Sequence, residues 1–432
     1  MKKRILIAAL TAAMASSIFG VTVNAAEREL NINWLSSRSA SESAILAIQD
    51  IAKQYQEENP DLDFNFEIEN ISDRTAYLQK LKILAASDEL PEWFDSDPDT
   101  WFADIVADGK AYSFEDLYKE LGMYDQIFPI SKEYARLSDG SLNLMTLQCN
   151  TEYFFYNKDL FEQAGIEAPE VAYATWDEFF EACDKLKEAG ITPIGMDSAD
   201  SGWLTNLWMS ALIGTNGDAG NEWMNTMYPT DYNTPEVIEA AENIQKMFQN
   251  YTTPDAVGGK YDPMATHFFN GEVAMFPNGP WMIPDFSETE KAPEGFYDKV
   301  GIMLLPGNGM EMVPTPGDMV GATDPEKIEA AVAFLKFETT PENQIKALEM
   351  TGLQPVSDNL EVPDTLSESD PLMAQALEIQ GKAEVTYGQN QAYWYQNTID
   401  TFSTELPELA YGNITAEEFC TKLSEAAAKN VE

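Results

Sequence analysis

The chain has 432 residues, 44% of them hydrophobic, with 73 acidic side chains against 26 basic ones. A net charge of −47 makes it a polyanion that repels phosphate backbones and anionic lipid, which disfavours nucleic-acid and membrane-surface binding. The length suits two or three domains or lobes, and carboxylates spread over solvated faces account for the charge without an acidic catalytic cluster.

In chain order, Lys2, Lys3 and Arg4 precede an apolar, Ala-rich run from Ile5 to Val23, and Val23 with Ala25 forms the small-residue pair that precedes a cut. This reads as a secretory signal peptide over 1–25, cleaved near Ala25. The alternative, a membrane-anchoring helix, is interrupted by Thr11, Ser16, Ser17, Gly20 and Thr22. Later stretches fall short of the roughly 18 continuous apolar residues that a membrane span needs. An exported chain follows, periplasmic or at the cell surface.

Beyond the leader, Leu30, Ile32 and Trp34 alternate as a strand, and Ala44, Ile45, Ile48, Ile51, Ala52 and Tyr55 recur at helical spacing. Leu62, Phe64, Phe66 and Ile68 alternate again, Tyr77, Leu78, Leu81 and Leu84 mark a second helix, and the run Pro91 to Asp95 reads as a third strand. This βαβαβ order predicts a largely parallel sheet, because parallel strands need crossover connections. Ligands of such sheets collect beyond the carboxyl ends of the strands. Ser36, Ser37 and Arg38 fall there after the first strand, and Asp95, Ser96 and Asp97 after the third.

Asp139-Gly140 predicts a hairpin between Ala135–Leu137 and Leu142–Leu144. Thr175 with Glu178 and Thr415 with Glu418 predict capping boxes, and Thr234-Pro235 and Thr340-Pro341 put a cap residue before proline at a helix start. Cys149, Cys183 and Cys420 are widely spaced, odd in number and without metal-ligand spacing, so buried free thiols are expected. The one histidine, His267, removes paired-His zinc sites and reads as structural, beside Phe268 and Phe269.

Sequence motifs for catalysis are absent: no GxGxxG after a strand, no GxxxxGK[ST], no HExxH and no GxSxG. The 73 acidic residues supply many chance carboxylate pairs, so an acidic pair alone is weak support for glycoside hydrolysis. Aromatic placement is more informative. Trp203 follows Ser201-Gly202, Trp281 follows Asn278-Gly279-Pro280, and Trp394 lies in Tyr393-Trp394-Tyr395, all outside apolar periodic runs. A sugar ring has an apolar C–H face and a polar rim, which flat aromatics and a few placed polar groups complement. Trp93, Trp101, Trp176, Trp208 and Trp223 read as structural.

The stretch Tyr156-Asn157-Lys158-Asp159-Leu160-Phe161, followed by Thr175-Trp176-Asp177-Glu178-Phe179, resembles the signature of family 1 extracellular solute-binding proteins. So does Phe269-Asn270-Gly271-Glu272-Val273-Ala274-Met275 with Asn278-Gly279-Pro280-Trp281, and the blocks follow in the family's order over nearly the whole mature chain. The resemblance implies an α/β, two-lobed periplasmic-binding-protein-like fold of type II, like maltose-binding protein, with a ligand cleft between lobes and a hinge of crossing segments. Lobe one is expected at 26–148 plus 312–345 and lobe two at 149–311 plus 346–432.

By motif position the resemblance makes Trp281 a sugar-stacking residue and Trp394 a C-terminal aromatic that also stacks. It places Trp34 and Asp95 at strand ends facing the cleft, Asp318 where the chain re-enters lobe one, and Glu152, Tyr153 and Trp203 on lobe two. The implied partners are a carbohydrate, expected to be an oligosaccharide, and the membrane permease subunits of an ABC importer; a monomer without cofactor or metal is expected. One departure concerns the tether: many relatives carry a lipid-bearing cysteine after the leader, whereas the first cysteine here is Cys149. The rival reading from another class is a secreted glycoside hydrolase or lyase with an aromatic-lined cleft.

Overall fold

The computed structural model describes residues 28–431 apart from 39, 41–42, 72–73, 97–99, 113, 123, 126–128, 138–139, 147, 200–201, 315–316, 322–324 and 356–363. The expected signal peptide and Asp97 lie outside the described residues.

Strand β1 (Arg28–Ser36) pairs in parallel with β2 (Leu62–Asn70) from Arg28↔Leu62 to Ser36↔Asn70, and the helix Ser43–Glu58 makes the crossover. Along β2 every second residue from Leu62 is half-buried and the others are exposed, as its period of two predicts. Strand β3 (Trp93–Ser96) joins β1 in parallel through Trp34↔Trp93, two residues later than the predicted run began.

The second sheet contains β4 (Gln148–Asn157), β5 (Thr192–Ile194), β6 (Val273–Asn278), β7 (Val300–Met303) and β8 (Gly309–Pro314). Strand β9 (Gly317–Val320) returns to the first sheet, and β10 (Gln354–Pro355) and β11 (Val385–Tyr387) belong to the second. The strand orders are β2-β1-β3-β9 and β11-β8-β4-β6-β5, with β7 and β10 also paired to β4. After β9, the helix Pro325–Glu338 covers the first sheet: Phe334 packs 5.0 Å from Phe66 and 5.4 Å from Trp93, centroid to centroid.

The chain therefore passes between the sheets before β4, between β8 and β9, and before β10. Strands β10, β4 and β8 are bonded abreast there, with Cys149 opposite both Gln354 and Pro314. The hydrogen-bonded strands β10, β4 and β8 thus lie at the crossing between the two sheets of a two-lobed α/β fold.

Local signals are borne out where side chain and backbone agree. Thr415 and Glu418 form the complete capping box of the helix Ala416–Ala428, and Thr175 Oγ1 accepts from Glu178 N at 3.2 Å while Glu178 reaches Ala174 N at 3.0 Å. Thr340 departs from this pattern: its hydroxyl donates back to Phe337 O at 2.9 Å, so the helix Pro341–Thr351 starts without a side-chain cap. An isolated Arg136↔Leu142 bridge closes the predicted hairpin, with Gly140 at φ +86°. All three cysteines are free and buried.

Candidate functional site

At the carboxyl ends of β1 and β3, Asp95 is fully buried and its carboxylate is enclosed by donors. The Trp34 indole N–H donates to Oδ1 at 2.7 Å; Ser36 Oγ at 2.9 Å, Ser37 Oγ at 2.9 Å and Ser37 N at 2.6 Å donate to Oδ2. Tyr77 locks the same corner from the helix Arg74–Ala86, donating to Asp95 O at 2.5 Å and approaching Leu35 O at 3.3 Å. Arg38 N bonds Ser36 Oγ at 3.2 Å, and Asn70 Nδ2 bonds Arg38 O at 3.2 Å. Asp95 thus fixes the turn 36–38 rather than presenting a carboxylate. Trp34 is 2% exposed, its ring edge-on to Trp93 at 5.7 Å. Asp318 is the backbone partner of Asp95 across β3 and β9.

In the second sheet β5 and β6 are parallel neighbours, in register at Thr192↔Val273 and Ile194↔Met275. Two of the three candidate tryptophans of this lobe, Trp203 and Trp281, follow their carboxyl ends. Trp203 opens the helix Trp203–Gly214, whose first amides are held by Asp197: Leu204 N reaches Oδ1 at 3.0 Å and Thr205 N at 3.4 Å. Gly202 precedes it at φ +62°, a left-handed turn that glycine adopts freely.

Trp281 lies in the 3₁₀ turn Pro280–Phe286 directly after β6 and is half-buried, as is Trp203. Its ring lies over Gly279: a Cβ there would stand 2.1 Å from the six-membered ring. Asn278, fully buried, holds the approach by accepting Gly279 N at 2.9 Å and donating to the Tyr261 hydroxyl at 2.7 Å. Burial raises the Tyr261 phenol above its ordinary value, and the negative charge of Asp285 adds to it. Asp197, Asn278 and Tyr261 were missed by sequence reading. Asn278 had a signal in its motif, whereas Tyr261 arrives from the separate helix Tyr261–Phe269 and had none.

The remaining candidates sit in packed interior. Trp394 is 3% exposed and meets Tyr232 at 4.8 Å, Trp223 at 6.0 Å and Phe402 at 6.0 Å, each edge to face. Trp223 of the helix Gly217–Met224 and Phe402 of the helix Gln396–Tyr411 both pack on that ring and put it in a core, despite its polar sequence context. Tyr153 is fully buried beside Asn278 in the β4·β6 register, and Glu152, 2% exposed, accepts Gln389 Nε2 at 3.2 Å. Of the eight residues singled out in the sequence, Trp203 and Trp281 are the two with described side chains that keep a partly exposed surface at a strand end. A separate recess of about 390 Å³ lined by Tyr156, Lys158, Phe161 and Ile166 lies at the carboxyl end of β4.

Residues 50–375 match the family model of bacterial extracellular solute-binding proteins. The sn-glycerol-3-phosphate-binding periplasmic protein UgpB of Shigella flexneri is 27% identical over 254 residues, 56% of each chain. The chain thus spans about half the length of that relative. Among solved structures, a chitin oligosaccharide binding protein superposes with TM-score 0.74 at 23% identity, covering 93% of this chain and 98% of its own. A Streptococcus pneumoniae solute-binding protein in complex with the blood group A-trisaccharide gives 0.69 at 18% identity, covering 92% and 99%.

Proposed function

Because the chain belongs to the bacterial extracellular solute-binding protein family, we propose that it is the capture subunit of an ABC importer and that its ligand is a carbohydrate, an oligosaccharide in the first instance. The observation that carries the reading is the pair Trp203 and Trp281, both half-buried, each following the carboxyl end of one of two adjacent parallel strands. Flat, partly exposed aromatic side chains near the polar groups of Asp197, Asn278 and Tyr261 suit an apolar ring face with a hydroxyl rim. The described structural neighbours that bind chitin oligosaccharide and a trisaccharide support the same ligand class.

Lobe one is taken as 26–148 plus 312–345 and lobe two as 149–311 plus 346–432; the strand orders of the two sheets support this division, except that Met312 to Pro314 pair with β4 and so stay with lobe two. Lobe one supplies the turn 36–38 that Asp95 holds, and lobe two supplies Trp281 and Trp203. Sugar bridges the lobes, stabilises the closed form through its greater affinity for it, and the closed form docks on the permease. Capture requires no catalytic group, so the protein acts as a non-enzyme, working outside the cytoplasmic membrane. Among the described residues no helix is long and apolar enough to cross a membrane.

Calorimetric titration against chito-, malto- and raffinose-type oligosaccharides, with sn-glycerol-3-phosphate as the contrasting anionic ligand, tests the reading. Micromolar binding of one oligosaccharide, about −8 kcal/mol, without change in the sugar on prolonged incubation is expected. Binding of the phosphate ester alone would replace the ligand class, and released shorter sugars would favour the hydrolase or lyase.

A further inference from the structure

The register of β4 and β8 sets Glu152 opposite Glu311, three positions along the ladder from the Cys149↔Pro314 pair at the crossing. Strand β11 extends the row, with Tyr387 opposite Glu311. Both glutamates are 2% exposed and Tyr387 is 1% exposed, so one cross-strand row carries two carboxyl groups and a phenol into the interior.

Hydrogen bonding leaves this row largely unsatisfied. Gln389 Nε2 donates to Glu152 Oε1 at 3.2 Å, whereas Glu152 Oε2, both oxygens of Glu311 and the Tyr387 hydroxyl have no partner of good geometry. The titratable neighbours are Tyr153 on β4 and Tyr387 on β11; Ser210 from the helix Trp203–Gly214 and Gln389 complete the polar surroundings. The helix Gly217–Met224, packed on β11, brings only the exposed Asp218 and Glu222. The helix Pro129–Ala135, packed on β8, carries the buried Tyr134 and also Lys132, whose amino group bonds Tyr124 O at 3.0 Å. Asp370, Lys382 and Glu378 belong to the neighbourhood of the helix Pro371–Gln380, where Gln380 approaches Tyr153.

Two carboxylates side by side in a water-poor interior do not both ionise, since desolvation and mutual repulsion each favour the protonated form. One proton turns a carboxyl oxygen into an O–H donor toward its neighbour and satisfies acceptors that the surrounding protein leaves bare. We infer that Glu152 and Glu311 share one proton as an acid–carboxylate pair, a proton-binding site that ties β4 to β8 beside the lobe crossing. Burial first, then the adjacent carboxylate, raises Glu311, and burial raises Glu152.

In the unfolded chain both acids ionise near about pH 4.3, so above that the folded chain binds the extra proton. Stability from the pair is fully present below the ordinary carboxylate range and is lost as pH rises through the raised folded values. The device is independent of the ligand, and no sugar is needed to test it.

Thermal melting of the full chain and of Glu311→Gln from about pH 5 to pH 8, with and without chelator, reads the effect. The comparison with the variant removes the general repulsion of a −47 chain, which also grows with pH. The wild type is expected to lose roughly 2–4 °C or more relative to the variant across that range. Infrared spectra of the native chain near neutral pH are expected to show a protonated carboxyl band that is weaker in the variant, where Glu152 alone remains. Should Glu311→Gln fail to fold, Glu152→Gln serves as the comparison, and the wild-type infrared band decides by itself. Parallel melting curves, a missing carboxyl band, or a melting temperature that falls with chelator would overturn the shared proton, the last by showing a metal ion in its place.

Discussion

Trp34 Nε1 stands 2.7 Å from Asp95 Oδ1, and the other oxygen of the same carboxylate gathers both hydroxyls and the amide of Ser36 and Ser37. One buried anion therefore sets both the indole below the turn and the turn itself. Replacing Asp95 by Asn keeps one acceptor and turns the other into an N–H₂ that faces donors. The expected loss is about 1–3 kcal/mol, read by denaturant unfolding, together with weaker oligosaccharide binding by calorimetry. Unchanged unfolding would show that water replaces the carboxylate at no cost.

The position of Asp95 at a strand end was legible in the sequence, because the alternation of Leu30, Ile32 and Trp34 and the run after Pro91 fix β1 and β3 locally. Its partners were not. They depend on the Trp34↔Trp93 register, a contact between residues 59 apart that no local pattern encodes. Trp394 teaches the converse: Tyr-Trp-Tyr among polar residues looks exposed, yet Trp223 and Tyr232, more than 160 residues away in sequence, pack against the ring together with Phe402 of the helix that follows it. Capping boxes were readable because cap and N3 residue lie within one turn. The pairing of β4 with β6, β7, β8 and β10 was hidden by its sequence separations.

Gly279 offers a test of Trp281 that leaves the indole in place. A Cβ at Gly279 would fall 2.1 Å from the Trp281 ring, so Gly279→Ala must push the ring from its seat. Gly279 has an extended backbone, φ −110° and ψ −179°, which alanine also adopts, so the effect is steric. Affinity for the bound oligosaccharide is expected to drop at least about tenfold, equivalent to 1.4 kcal/mol, in both Gly279→Ala and Trp281→Ala. Calorimetry checks this; wild-type affinity in both would remove Trp281 from the site.

Trp394 should behave in the opposite way. Its ring fills a pocket between Tyr232, Trp223 and Phe402, and truncation to alanine is expected to cost about 3–5 kcal/mol of stability. Its indole N–H is buried without an acceptor, so Trp394→Phe removes an unsatisfied donor along with some volume. That variant is expected to lose much less, under about 1.5 kcal/mol, by the same unfolding measurement. A large affinity loss with intact stability in Trp394→Ala would return the ring to the ligand.

His267 supplies a second pH response with a different origin. Its Nε2 lies 3.0 Å from Asp255 Oδ2 and its Nδ1 faces Glu272 Oε2, so the ring joins the loop after one helix to the start of β6. Burial lowers its proton affinity, but the hydrogen bonds and charges of Glu272 and Asp255 outweigh that and raise it. A raised histidine stabilises fully below its unfolded value of about 6.5, and that contribution is lost as pH rises through the folded value. The loop it anchors also bears on the candidate site, since Gly259 O accepts Ser198 N at 3.2 Å and Ala199 N at 2.9 Å just before Trp203. His267→Gln is therefore expected to flatten the melting curve only above the ordinary histidine range, whereas Glu311→Gln flattens it from the carboxylate range upward. Melting both variants across the same pH series separates the two groups, and a His267→Gln curve that tracks the wild type would show that the imidazole titrates alike in the folded and unfolded chain.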